Sequence, residues 1–202
     1  MAIVEYRGIK NAVVAELIKD DEDGIEYGPV KRLVALSELT KTTESSSETH
    51  YYDDMPAIVI SSTGADEVTC NGAALPLDMY AFITGYDYDE TTGAVIEGSR
   101  VTRYLAFGYE TGRTGDGSDE NPVYVWRLKG TFGIPDSTHA TIDDGTDANG
   151  QELVYTGIQT THKFTKTGKG ARAVVVDVGL GLADVTGFFD EVTTPDTLKA
   201  KA

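Results

Sequence analysis

Cysteine is almost missing from this chain: Cys70 is the only one. No intrachain disulfide can form, and a zinc site built from several thiolates is excluded. Long apolar runs are missing too. No stretch approaches the ~18–20 apolar residues that a membrane-spanning helix needs. The opening Met-Ala-Ile-Val-Glu-Tyr-Arg-Gly has no apolar core of the kind a signal peptide carries. These absences lead to the expectation of a protein made in a reducing cytoplasm, with no membrane partner. Bases are scarce as well: 17 Lys and Arg stand against 33 Asp and Glu, a formal charge of -16. Phosphate affinity depends on Lys and Arg releasing counterions, so this balance opposes nucleic-acid binding. It suits solubility, and it suits a surface that must not hold a polyanion.

Recognisable catalytic chemistry is also missing. His50, His139 and His162 are far apart and in no metal spacing. There is no Gly-x-Ser-x-Gly, His-Glu-x-x-His or dinucleotide glycine fingerprint. Thr167-Gly168-Lys169-Gly170 resembles the end of a P-loop, but the upstream glycine is lacking and Gly170 stands where Ser or Thr belongs. It reads as a hairpin turn. The strongest calcium candidate is the run from Asp143 to Gly150. Aligning Gly150 with the loop glycine puts Asp147 and Asn149 in ligand positions, yet Gly145 and Thr156 then occupy the first and closing positions. It reads as a solvated loop, as does His50 beside Asp53 and Asp54. Carboxylates such as Glu152 and Asp177 are not singled out for acid–base work. The expectation is a protein that is not an enzyme, with no catalytic residues, cofactor or metal.

What the chain does have is glycine, 22 of 202 residues, and closely spaced turn signals. Both favour an all-β design. Residues 11–18 read as a strand, Asp20 to Gly24 as a turn with Gly24 at positive φ, and residues 25–27 as the return. Further strands are expected at 33–40, 57–62 and 65–71, the last alternating Val68 and Cys70 with Glu67, Thr69 and Asn71. Residues 86–89 and 94–97 flank another turn. Residues 101–111 and 123–132 are long and aromatic-rich. Residues 152–164 and 171–179 form a last pair around 165–170, and 193–202 reads as a loose tail. Polar loops are expected at 112–121 and 138–150.

One helix is expected, over residues 76–84. Pro76 suits its first position, Asp78 suits the positive end of the helix dipole, and Gly85 supplies the stop. Leu77, Tyr80 and Ala81 share a face, widened by Met79, Phe82 and Ile83. So short a helix is marginal alone, so Leu77, Tyr80, Ala81 and Phe82 are expected to pack on the sheet. The spacing as a whole predicts one mainly β domain over residues 1–202, a sandwich or barrel with one flanking helix.

The most unusual segment is residues 41–54, Lys-Thr-Thr-Glu-Ser-Ser-Ser-Glu-Thr-His-Tyr-Tyr-Asp-Asp. Hairpins usually close in about 2–5 residues. A long polar arm adds little to a core and costs entropy to order. It is better explained as a surface that orders against another molecule. The expected contact residues are Lys41, Glu44, Glu48, His50, Tyr51, Tyr52, Asp53 and Asp54. The tyrosines are the natural anchors, since each combines apolar area with a hydrogen-bonding tip.

Taken in order, these marks are similar to the major tail proteins of long-tailed, non-contractile phages of Gram-positive bacteria. The resemblance is carried by the run Gly8-Ile9-Lys10-Asn11-Ala12-Val13-Val14-Ala15 before an acidic turn, and by Tyr27-Gly28-Pro29-Val30 after it. The arm ending Tyr51-Tyr52-Asp53-Asp54 and the helix start Leu75-Pro76-Leu77-Asp78 add to it. So does Val125-Trp126-Arg127-Leu128-Lys129-Gly130-Thr131-Phe132 followed by Pro135 and Thr141. Leu75 departs from the acid many relatives carry before the helix proline. The resemblance implies a tail-tube fold, a β-sandwich with a flanking helix and an extended arm. It implies hexameric rings of this chain, stacked into the conduit for the genome in a virion tail and assembled in the host cytoplasm. The implied partners are other copies of the chain, a tape measure protein inside, and tail terminator and distal tail proteins at the ends. DNA would pass through an acidic bore without being bound, with Glu67 a candidate lining residue. The competing reading from the residues is a carbohydrate-binding or adhesion module displayed on a virion, to which Tyr51, Tyr52, Tyr86 and Tyr88 could contribute an aromatic platform.

Overall fold

The computed structural model describes residues 4–115, 121–137 and 150–201. Residues 138–149 of the loop expected over 138–150, with His139, Thr141 and the aspartates of the calcium candidate, lie outside the described residues, as do 116–120. The protein is mainly β, 57% strand and 6% helix, which agrees with the expected class. Its strands are β1 (Val4–Asp20), β2 (Ile25–Tyr27), β3 (Lys31–Arg32), β4 (Leu36–Tyr52) and β5 (Met55–Gly72). The helix α1 (Leu77–Thr84) follows, then β6 (Asp87–Asp89), β7 (Ala94–Ile96), β8 (Leu105–Gly115) and β9 (Asn121–Phe132). The chain ends with β10 (Gln151–Gly157), β11 (Ala173–Asp177), β12 (Ala183–Asp184) and β13 (Lys199–Ala200).

One antiparallel sheet runs in the order β2-β1-β8-β9-β10-β5-β4. It forks at β9. The outer edge of that strand pairs with β11 over Val123–Arg127 and with β10 over Gly130–Phe132. The two ends of the path approach each other. Leu33, just before β4, donates its backbone N–H to the carbonyl of Ala12 in β1 at 2.9 Å. The sheet therefore curls around one face.

The alternation along β8 and β9 explains why both faces of the sheet are covered. Phe107, Tyr109, Val123 and Val125 point to the concave side, where they meet Val14, Val68, Cys70, Leu153 and Tyr155. Ala106, Trp126 and Leu128 point to the other side, under Phe164, Val174, Val176, Phe188 and Val192. Strands buried on both faces read as nearly continuous apolar runs, as Val123–Leu128 does. Trp126 is fully buried there, and its indole Nε1–H donates to the Phe188 carbonyl at 2.8 Å.

Several expectations need correction. The first strand begins seven residues earlier than expected, and its turn is closed by a side chain. The Asp21 carboxylate accepts from the N–H of Asp23 and of Gly24, so Gly24 does not take a positive φ. In α1 the buried residues are Met79, Ala81, Ile83 and Thr84, while Leu77 is exposed. Tyr80 is only partly covered, its hydroxyl donating to Glu97 at 2.9 Å, whereas Phe82 is half-buried against the first core, with Lys31 Nζ 3.9 Å from its ring. Nearly every position of this helix is apolar, so periodicity did not fix which face meets the sheet. Gly85 does end the helix, at φ 80, where an added Cβ would stand 1.9 Å from the Val101 carbonyl oxygen.

The tail expected to be loose is docked. Val192 and Thr194 are buried, and the Asp196 carboxylate accepts from the N–H of Thr165 and of Lys166 at 2.9 Å each. Lys199–Ala200 then pairs with Ala183–Asp184. This segment is the lid of the second core, a role set by contacts remote in sequence.

Candidate functional site

The segment expected to be a polar excursion is one half of a two-stranded ribbon. Thr43 pairs with Asp66, Ser46 with Ser62, Glu48 with Ile60, His50 with Ile58 and Tyr52 with Met55. The hairpin closes at Asp53 and Asp54, at φ 49 and φ 60. Two successive left-handed residues make the tight turn whose twist matches paired strands, and Asp tolerates that conformation better than most side chains. The arm is therefore residues 43–64, not 41–54. Its return strand is the stretch expected to lie in the body of the domain.

Beyond its root the arm touches nothing else among the described residues. Tyr51, Tyr52, Met55, Ile58, Val59 and Ile60 are all more than half exposed. The register places Glu48, His50, Tyr52, Met55, Ile58 and Ile60 on one face of the ribbon and Thr49, Tyr51, Pro56 and Val59 on the other. Tyr51 and Tyr52 thus face opposite ways. Glu44 and Glu48 are exposed, with Glu48 4.0 Å from the His50 imidazole. Residues 57–62 do form a strand, but one that pairs along the polar segment within the arm. The signal was present in Asp53-Asp54, a turn pair with strand-forming residues on both sides.

The root is held by charge. Asp66 is buried and receives Arg127 Nη1 at 2.7 Å, with Lys41 Nζ at 3.7 Å and Arg172 Nη1 at 3.8 Å. Thr43 Oγ1 donates to it at 2.8 Å, and Arg172 Nη2 donates to the Thr63 carbonyl on the return strand at 2.8 Å. Of the expected contact residues, only Lys41 belongs to this cluster. Arg127 is buried too, and its Nε has no hydrogen-bond partner. The cluster borders a cavity of about 630 Å³ between β1 and β4, with β8 and β9 beneath it.

Cys70 is buried, and burial pushes its thiol up to about 12, so it is not a poised nucleophile. Among the described residues no three His, Cys, Asp or Glu side chains form a cluster that could hold a metal ion. Among them, too, no helix is long and apolar enough to cross a membrane. Compared with protein-family models the chain matches none, and it finds no significant match among curated proteins.

Proposed function

We propose that the protein is a structural subunit that assembles with copies of itself through the 43–64 arm, and that the assembly is a phage tail tube. The observation that carries this reading is the arm itself. It projects from a complete core, and its apolar residues Ile58, Val59 and Ile60 lie in solvent on a ribbon with two open edges. Contiguous apolar surface and free strand edges are what folded proteins otherwise avoid or cover. A partner that lies along the ribbon satisfies both.

The resemblance of the sequence to major tail proteins supports the rest. The rings would hold six copies, about 130 kDa from chains of 21.7 kDa, stacked head to tail. A tape measure protein would occupy the bore, with terminator and distal tail proteins at the ends. The charge of -16 suits a wall along which DNA slides without being trapped, because fixed carboxylates repel phosphates within a Debye length of ~8 Å. Glu67, exposed on β5, is one candidate for that wall. Electron microscopy of the concentrated protein tests the proposal. Rings with six subunits and tubes built from them are the expected result. Particles that stay single at high concentration, or rings of another number, would refute it.

A further inference from the structure

The cavity at the root of the arm differs in charge from the molecule as a whole. Around it Arg7, Lys41, Arg127 and Arg172 outnumber Glu38 and Asp66, in a chain that carries -16. Arg7 is exposed and has no ion-pair partner among the described residues. Beneath these cations the floor is apolar, formed by Leu39, Val123 and Val125. A ligand that fits has carboxylates beside apolar or aromatic groups.

The arm tip has that chemistry. Tyr51 and Tyr52 are followed by Asp53, Asp54 and Met55, all exposed. Yet the tip cannot reach the cavity of its own chain. The ribbon is paired from Thr43 to Tyr52 and holds the tip away from its root by ~30 Å, at about 3.4 Å per residue. We propose, building on the self-assembly reading, that this cavity receives the Tyr51–Met55 tip of the arm of a second copy of the chain. Asp53 and Asp54 meet Arg7 and the Lys41 ammonium, and the tyrosine rings cover the apolar floor. Donor and acceptor are different surfaces, so the contact is head to tail, and each copy can both give and receive an arm within a ring or between stacked rings. Its repeat is set by the length of the arm.

A disulfide trap tests the contact without requiring tubes. Met55→Cys marks the tip and Ser37→Cys marks the cavity rim, both at exposed positions. Cys70 is buried and does not compete. The two proteins, differing in tag, are mixed and mildly oxidised. The expected product is the mixed dimer, at about tenfold the yield given by Met55→Cys with Ile18→Cys, an exposed control position, because docking raises the local thiol concentration. Equal yields at the two sites would overturn the inference. Asp53→Asn with Asp54→Gly keeps the turn and removes both charges, and Arg7→Glu reverses one cation of the cavity. Each should cut the mixed dimer by roughly tenfold, and together they should cost no more than either alone. Additive losses, or none, would overturn the charge pairing. Tubes seen by microscopy without the cross-link would sink the docking site and leave the subunit reading standing. The cross-link without tubes would do the reverse.

Discussion

Arg127 on β9 donates to Asp66 on β5 at 2.7 Å, and both side chains are almost wholly removed from water. This pair joins the middle of the sheet to the place where the arm leaves it. A buried ion pair is weak support as a pair, but removing one member strands the other. Asp66→Ala should therefore cost about 3–5 kcal/mol of stability, measured by urea denaturation. Replacing both, as Asp66→Leu with Arg127→Met, should cost clearly less than Asp66→Ala alone. A double variant as damaged as the single one would show that the pair contributes more than mutual neutralisation.

Removing the arm should leave the fold intact. Deleting residues 44–64 and joining Thr43 to Ala65 through Asn-Gly keeps the Thr43–Asp66 pairing and takes away no residue of either core. The deletion has to take both strands, since cutting only 42–49 leaves the apolar return strand unpaired. The shortened protein should unfold cooperatively and form no tubes. Normal tubes from it would end the role given to the arm.

A milder change separates packing from assembly. Ile58→Thr with Ile60→Thr keeps strand-forming residues at two exposed positions on one face of the ribbon. Stability of the monomer should change by no more than about 0.5 kcal/mol, as for most surface substitutions. The concentration needed for assembly, followed by light scattering, should rise. An unchanged threshold would mean that this face stays in solvent.

Asp20 makes the second core sensitive to acid. Burial opposes its ionisation, but Lys129 and the N–H groups of Thr161 and His162 outweigh that and hold its carboxyl below the ordinary 3.8. A depressed carboxyl stabilises the fold above its unfolded value, and the contribution disappears as pH falls through the folded value. The stabilisation should thus be complete at neutral pH and fade below about pH 4. Asp20→Asn should lower the unfolding temperature at pH 7, and the gap from the unchanged protein should narrow on acidification. A gap that stays constant with pH would refute the linkage.

Trp126 offers a probe for these experiments, as the only tryptophan and fully buried. Trp126→Phe strands the Phe188 carbonyl and leaves a void, and should cost about 1–3 kcal/mol. A smaller loss would mean that the C-terminal segment repacks. Fluorescence of the unchanged protein should shift to the red when this segment lifts away.

The sequence alone determined the mainly β class, the helix with its Gly85 stop, and the hairpins at 20–25 and 89–94. Each of these depends on neighbours within a few residues: a period of two, an Asx side chain, a glycine at positive φ. Four features had to wait for tertiary structure. The phase of α1 was one, since apolar residues all round fit any face until the sheet chose Met79 and Ile83. The docking of residues 193–201 was another, because Asp196 finds its donors about thirty residues earlier. The arm was the third. Residues 55–60 look like core by composition, and only the register from Asp53-Asp54 shows that they run out beside 45–52 and away from the body of the sheet. The last was the cluster on Asp66, whose cations lie at positions 41, 127 and 172. Charges so far apart in the chain carry no local signal. They meet because the sheet curls, bringing β1 and β4 together over β9.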